Sequence, residues 1–450
     1  MQLVDATKAW LYLLCLINLL NSCKVSAMTH FGLICPASTG HLNTMLPLGK
    51  ELQKRGHRVT LIGVVDAQPK TLAAGLEFQA IGESEFPTGA IAQSLTNLGK
   101  LSGIAATAYT MSLLKQMAAV ILRDAPKVIK QAGVEALLID QVSPEGAIVA
   151  EFLGIPFVTI CSAVVLNQEE SVPPHFTNWR YHPAWWARLR NKVSYELVNG
   201  IGKSIMEVMA KYRRECNLPP LSLTNNGYSQ LAQISQQPAE LEFPRQHLPK
   251  YFHFTGPFHS LDGREPVAFP YEKLTGQPLI YASMGTIQNR LQSVFRDIAQ
   301  ACEGLDVQLV ISLGGALEPE ALPKLPGEPL IVKYAPQLDL LKKTTLTITH
   351  AGLNTTLESL SNGVPMVAIP VANDQPGVAA RIAWTGAGEF IPLSRLSVPK
   401  LGAAIQRVLT QDSYKQNALR LQAAIRRAGG VTRAADIVEK AISTGKPVLA

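Results

Sequence analysis

A chain of 450 residues with 47% hydrophobic and 17% charged residues is too long for one typical core and apolar enough to build two. Lys and Arg exceed Asp and Glu by 41 to 34, a net charge of +7 spread without long basic blocks, which argues against a nucleic-acid protein and suits an anionic ligand or an anionic membrane face. The six cysteines lie far apart with no Cys-x-x-Cys, so neither a disulfide framework nor a zinc site is expected.

Residues 1–27 stand apart from the rest. The run WLYLLCLINLL is too short to span a bilayer comfortably, and Val25-Ser26-Ala27 resembles the small-residue end of a signal peptide. An upstream start codon with Met28 as the true start, or a short membrane-associating leader, would account for it equally. From Met28 onward, short apolar strands alternate with amphipathic helices, the pattern of parallel α/β sheets. Strands are expected over 30–35, 58–64, 136–139 and 157–160, with helices over 42–55, stopped by Gly56, and 145–153. This first unit runs over 28–258. A polar, aperiodic stretch over 259–277 reads as a linker. A second unit, 278–450, is expected to hold strands over 279–283, 308–313, 330–333, 346–349 and 366–369. An amphipathic helix over 434–442 could pack on either unit. Two such sheets imply a cleft between the carboxyl ends of their strands, where ligands of doubly wound sheets bind.

The stretch THAGLNTTLESLSNGVPMVAIPVANDQPG places side chains at intervals that packing does not require. His350, Gly352, Asn354 and Thr355 fall at a predicted helix N-terminus, where unpaired N–H groups and the helix dipole favour a phosphate. Glu358 lies on the same helix face as Asn354, about 6 Å further along the axis at ~1.5 Å per residue, the step from a phosphate to a ribose. Asp374 and Gln375 follow the next strand, and a carboxylate beside an amide suits neighbouring sugar hydroxyls. Taken singly, each is as compatible with a solvated surface residue. Their order fits one elongated ligand. In the first unit, His41 follows the first strand and Asp140 ends another strand of the same sheet. A buried carboxylate beside an imidazole would make a general base.

The segment from Tyr334 to Gln375, YAPQ…HAGLNTTLE…GVP…P…DQ, resembles the donor-binding signature of family 1 UDP-dependent glycosyltransferases, and the likeness extends over nearly the whole chain from Met28. The resemblance implies a GT-B architecture, two Rossmann-like domains with parallel sheets facing a cleft. It implies that Tyr334 stacks on uracil and Gln337 contacts the base, with Tyr334 standing where many relatives have Trp. His350, Asn354 and Thr355 would hold the diphosphate, Glu358 the ribose, and Asp374 and Gln375 the sugar. Ser283-Met284-Gly285-Thr286 looks like the family's other phosphate loop. His41 with Asp140 matches the family's catalytic pair, which implies an inverting transfer to the β-glycoside. No Asp-x-Asp occurs, and no divalent cation or other cofactor is expected, the UDP-sugar being a co-substrate.

YASMGTIQNR, LTITHAGLNT and ANDQPGVAARI are similar to stretches of zeaxanthin glucosyltransferases. They make UDP-glucose and a lipophilic alcohol, first a carotenoid, the expected partners, in a cytoplasmic setting. The apolar run 90–122, and Trp179, Trp185 and Trp186 beside Arg180, Arg188 and Arg190, suit a peripheral membrane contact or the mouth of an apolar tunnel. A macrolide, phenolic or sterol glycosyltransferase would share the donor residues. A UDP-sugar 2-epimerase would need no acceptor, and an exported sugar-binding protein would need the leader.

Overall fold

The computed structural model describes residues 28–98, 103–220, 227–259, 267–286, 292–315 and 317–450; the leader and part of the expected linker lie outside the described residues. β1 (His30–Ile34), β2 (Arg58–Gly63), β3 (Glu77–Ala80), β4 (Ala136–Asp140), β5 (Phe157–Cys161), β6 (Gln233–Ser235) and β7 (Phe252–Phe254) form the first sheet, in the order β3-β2-β1-β4-β5-β6-β7. β8 (Leu279–Ser283), β9 (Gln308–Ser312), β10 (Leu330–Val332), β11 (Thr344–Thr349), β12 (Met366–Ala368) and β13 (Gly388–Phe390) form the second, in the order β10-β9-β8-β11-β12-β13. Neighbouring strands are parallel throughout. Both sheets are covered by helices on their two faces, so their central strands read as continuous apolar runs. β3, β6, β7 and β13 had no expectation from the pattern.

The strand order reverses direction between β1 and β4 in the first sheet and between β8 and β11 in the second. Helices leaving the two flanking strands at such a point go to opposite faces and open a crevice at the carboxyl ends. β1 leads into the helix Thr39–Lys54, which begins before the expected 42 and takes His41 into its first turn. β11 leads through His350-Ala351-Gly352 into the helix Leu353–Ser361.

The terminal helix Gly430–Thr444 returns to the first sheet. Its Ala434, Ile437, Val438 and Ala441 share a core with Phe31, Leu33, Leu42 and Leu48. Arg55 holds Asp436 at 2.7 Å and Glu439 at 2.8 Å, and Val448 N–H donates to the Leu231 carbonyl at 2.9 Å. The first fold unit is therefore completed by the last residues of the chain.

The halves are also joined beside the cleft. Arg381, fully buried on the helix Gln375–Trp384, donates from Nε to Glu242 at 3.0 Å and lies 4.4 Å over the Phe243 ring. Gly377 N–H donates to the His175 carbonyl at 3.0 Å, and a Cβ at Gly377 would stand 2.2 Å from that oxygen. Burial alone would raise the Glu242 pKa, but the guanidinium groups of Arg381 and Arg245 hold it below the ordinary carboxylate value. Its stabilisation is therefore complete above the unfolded glutamate value of about 4.3 and lost as pH falls through the depressed one. Glu242→Ala leaves Arg381 buried and unpaired, and denaturant unfolding at pH 7 is expected to register a loss of about 3–5 kcal/mol.

Candidate active site

At the first crevice, His41 Nδ1 lies 2.7 Å from Asp140 Oδ2. Asp140 is fully buried, whereas the His41 side chain keeps 23% exposure. A second group, not anticipated from the sequence, completes the pair. Ser162 donates its hydroxyl to the same Asp140 oxygen and stands 2.8 Å from His41 Nδ1, while Val142 N–H donates to Asp140 Oδ1 at 3.1 Å. Ser162 directly follows β5, the strand beside β4, so its place at a carboxyl strand end was the available signal. Burial works against protonation of His41, but the charge and hydrogen bond of Asp140, with Asp374 adding to them, leave its pKa above the ordinary 6.5. With Nδ1–H committed to Asp140, Nε2 is the ring nitrogen able to accept a proton. Cys35 and Cys161 lie nearby, but burial and then the Asp140 charge push both thiols well up, which makes them poor nucleophiles.

The second crevice is built around the His350 imidazole. A Cβ on Gly285 would approach the ring to 2.6 Å and one on Gly352 to 2.5 Å, so the two glycines make room for the histidine from both sides. The left-handed residue of this turn is Ala351, at φ 65°, while Gly352 has φ −62°. Gly352 is thus needed for space more than for backbone freedom, and the bend is carried by an alanine in a conformation that costs about 1–2 kcal/mol. Burial pushes the His350 pKa down to about 4, with the Ser283 backbone offsetting only part of it. Near pH 7 the ring is neutral and offers one N–H rather than a full charge. Its Nδ1 is buried and lacks a hydrogen-bond partner among the described residues. Beside it, Ser283 Oγ accepts from Gly285 N–H at 3.3 Å, and Thr286 is exposed.

Along the helix Leu353–Ser361, Thr355 is 8% and Glu358 1% exposed. Gln337 donates to the Glu358 carboxylate and, at 3.4 Å, to Thr355 Oγ1, and its own carbonyl oxygen accepts from Tyr281 Oη at 3.0 Å. Gln337 therefore stands at the level of Glu358, with its amide engaged. Tyr334 is 47% exposed and lies across Gly315, where a Cβ would meet its hydroxyl at 1.8 Å. Asn354 is placed differently from its neighbours. It donates to the Gly40 carbonyl at 2.8 Å and accepts from Gln236 Nε2 at 2.9 Å, tying the start of the second-half helix to the turn that carries His41.

Asp374 stands at the N-cap position of the helix Gln375–Trp384 without a side-chain capping bond, and Val164 N–H donates to its carboxylate at 3.3 Å. Burial raises its pKa, and the proximity of His41 opposes the rise. Gln375 turns its carbonyl oxygen inward to the N–H groups of Val371 and Ala372, at 2.8 and 3.0 Å, which fixes the loop before Asp374. An imidazole–carboxylate pair thus faces a carboxylate of the other half, beside a helix N-terminus with an unpartnered imidazole nitrogen.

The family model described as UDP-glucoronosyl and UDP-glucosyl transferase matches residues 33–427. The chain belongs to this family of UDP-glycosyltransferases. It is 33% identical to a zeaxanthin glucosyltransferase of Pantoea ananas, over 94% of this chain and 98% of that one. It is 29% identical to a second zeaxanthin glucosyltransferase, from Pseudescherichia vulneris, over 94% of this chain and the whole of the other. Among solved structures, the glycotransferase of kitacinnamycin superposes with a TM-score of 0.72 at 22% identity, covering 92% of this chain and 99% of its own. The calicheamicin glycosyltransferase does so at 0.69 and 21%, covering 93% and 100%. These neighbours bear on the fold alone; they share the two parallel α/β sheets that the alternating pattern led to and the GT-B arrangement that the resemblance implied.

In such a glycosyltransferase, a methyl group at Gly352 displaces the His350 ring. Overpacking of this kind costs about 1–3 kcal/mol, so Gly352→Ala is expected to lose about that much stability in denaturant unfolding at pH 7, with an unchanged far-ultraviolet spectrum.

Proposed function

We propose that this glycosyltransferase moves glucose from UDP-glucose to a hydroxyl of a carotenoid such as zeaxanthin, with inversion, using His41 as general base and Asp140 as its positioning partner. The observation that carries the mechanism is the 2.7 Å contact of His41 with a fully buried Asp140, opposite Asp374. The acceptor hydroxyl gives its proton to His41 Nε2 as its oxygen forms a bond to the anomeric carbon. The bond from that carbon to the diphosphate oxygen breaks with its electron pair, and UDP leaves from the opposite face. Asp140 stabilises the imidazolium produced, and Ser162 keeps the carboxylate directed at Nδ1.

The leaving diphosphate falls to the N-terminus of the helix Leu353–Ser361, with Thr355 and the Ser283–Thr286 loop beside it. His350 contributes a ring N–H, and Asn354 acts chiefly by registering that helix on Gly40. This arrangement supplies fixed dipoles where the charge develops, and the reaction is proposed to need no divalent cation. The Glu358 carboxylate receives the ribose hydroxyls with Gln337 beside it, Tyr334 takes the uracil on its open face, and Asp374 with Gln375 holds the glucose. Use of a cytosolic nucleotide sugar supports a cytoplasmic setting. The acceptor assignment is supported by two zeaxanthin glucosyltransferases that match over 94% of the chain.

Purified protein incubated with UDP-glucose and zeaxanthin beside a panel of macrolides, phenolics and sterols is expected to give carotenoid glucosides by mass spectrometry, with activity retained in EDTA. Glucosides only of the other alcohols would overturn the acceptor, and UDP-glucose turnover without any alcohol would favour an epimerase. The base is tested by pH. His41 must be neutral to act, so kcat/KM is expected to fall on the acid side with an apparent pKa above the ordinary 6.5. Asp140→Asn removes the charge that raises it, so that limb moves to lower pH while kcat drops by about 10²-fold or more. His41→Ala is expected to abolish transfer and leave UDP affinity nearly intact; equal loss of both would make the histidine structural.

A further inference from the structure

The helix Trp185–Ile201 is amphipathic in the reverse sense. Its inward face carries Ala187, Asn191 and Tyr195, with Asn191 Nδ2 donating to the Glu170 carbonyl at 2.9 Å and Tyr195 Oη to the Val172 carbonyl at 3.2 Å. Its outward face carries Trp185, Leu189, Val193, Leu197 and Ile201, one every fourth residue and all exposed, from 46% at Val193 to 76% at Trp185. A stripe with that spacing is about 24 Å long at 1.5 Å per residue. Surface helices of globular proteins turn such a stripe to the core.

The charge around it is mostly basic. Residues 179–215 contain eight Lys and Arg against three Glu, a local excess of five within a chain whose total is +7. Arg188 and Lys192 lie along one margin of the stripe, both exposed, Lys192 also 3.4 Å from Glu170. At the margin by the helix start, Arg190 sits 4.3 Å over the Trp179 ring and 5.6 Å from that of Trp186. Glu196 is the acidic exposed side chain of this helix. Apolar side chains flanked by basic ones and by tryptophans are matched by a layer that is apolar inside and anionic at its surface.

We propose that this helix docks the enzyme, lying flat, on an anionic lipid bilayer. The seat is on the acceptor side. The helix follows directly on the segment 162–184, which begins at Ser162 beside His41 and touches the second half through Val164 and His175. Docking there joins the lipid surface, through the segment 162–184, to the position of His41, a route suited to an alcohol that partitions into membranes. The binding itself is independent of the acceptor proposed above.

Co-sedimentation of the full chain with extruded vesicles tests this without any nucleotide sugar or acceptor present. Binding to vesicles of equimolar phosphatidylcholine and phosphatidylglycerol is expected, at least tenfold tighter than to phosphatidylcholine alone and weakened to a similar degree at 0.5 M salt. The triple variant Leu189→Ser, Val193→Ser, Leu197→Ser is expected to lose about tenfold or more at an unchanged melting temperature. The charge reversal Arg188→Glu, Lys192→Glu should remove the preference for the anionic lipid while leaving the stripe intact. Failure of the wild type to bind, or equal binding by the triple variant, would overturn the proposal. So would a wild-type dimer that the triple variant turns into a monomer, since the stripe would then be a contact between copies.

Discussion

The chemistry of this protein depends on two sheets meeting at the carboxyl ends of their central strands, and a buried ion pair between Arg381 and Glu242 crosses that meeting. Neither sheet holds a complete site. The first presents an imidazole and its carboxylate; the second presents a helix N-terminus and a further carboxylate. What turns the two sets into one site is the contact between the halves, made by Arg381, by the Gly377–His175 hydrogen bond and by Asn354. Each of these is polar, and so directional in a way that apolar packing is not; the Arg381 pair is buried, while the Asn354 bond to Gly40 is exposed. The return of the terminal helix to the first sheet adds an apolar clamp at the far end.

Asn354 illustrates how one residue can serve two levels of organisation. Its spacing relative to Glu358 suggested a nucleotide-sugar site in the sequence, and its amide spans the gap between Gly40 and Gln236. Gly40 immediately precedes His41, so the N-terminus of the helix Leu353–Ser361 and the His41 turn are held in mutual register. His350 shows the complementary case, a histidine neutralised by burial, whose electrostatic contribution is a hydrogen bond and not a charge. Fixed dipoles of this kind need no reorganisation as charge develops on the leaving group.

The helix Trp185–Ile201 extends the same economy outward. Its apolar side chains are withheld from the core, and the segment before it begins at Ser162. The proposed function requires a lipophilic alcohol and a water-soluble nucleotide sugar to meet in one cleft from different phases. A cleft with its acceptor side toward a bilayer and its donor side toward the aqueous phase meets that requirement with no helix, among the described residues, long and apolar enough to cross a membrane.

Much of this was legible in the chain because it is local. Central strands such as β1, β4 and β8 declared themselves by apolar runs, and the placement of Glu358 one turn along the same helix face as Asn354 follows from helix geometry alone. The first-sheet histidine and aspartate were legible as strand-end residues, which is a statement about position along the chain. Partnership was decided by tertiary structure. Ser162 could be known as the third member of the His41–Asp140 group only once β5 was laid beside β4, and the crossing of the final helix only once its alanines met Phe31 and Leu42. Local periodicity encodes which face a residue occupies, whereas the distance between residues far apart in sequence, and the burial that sets a histidine's charge, exist only after the sheets have packed.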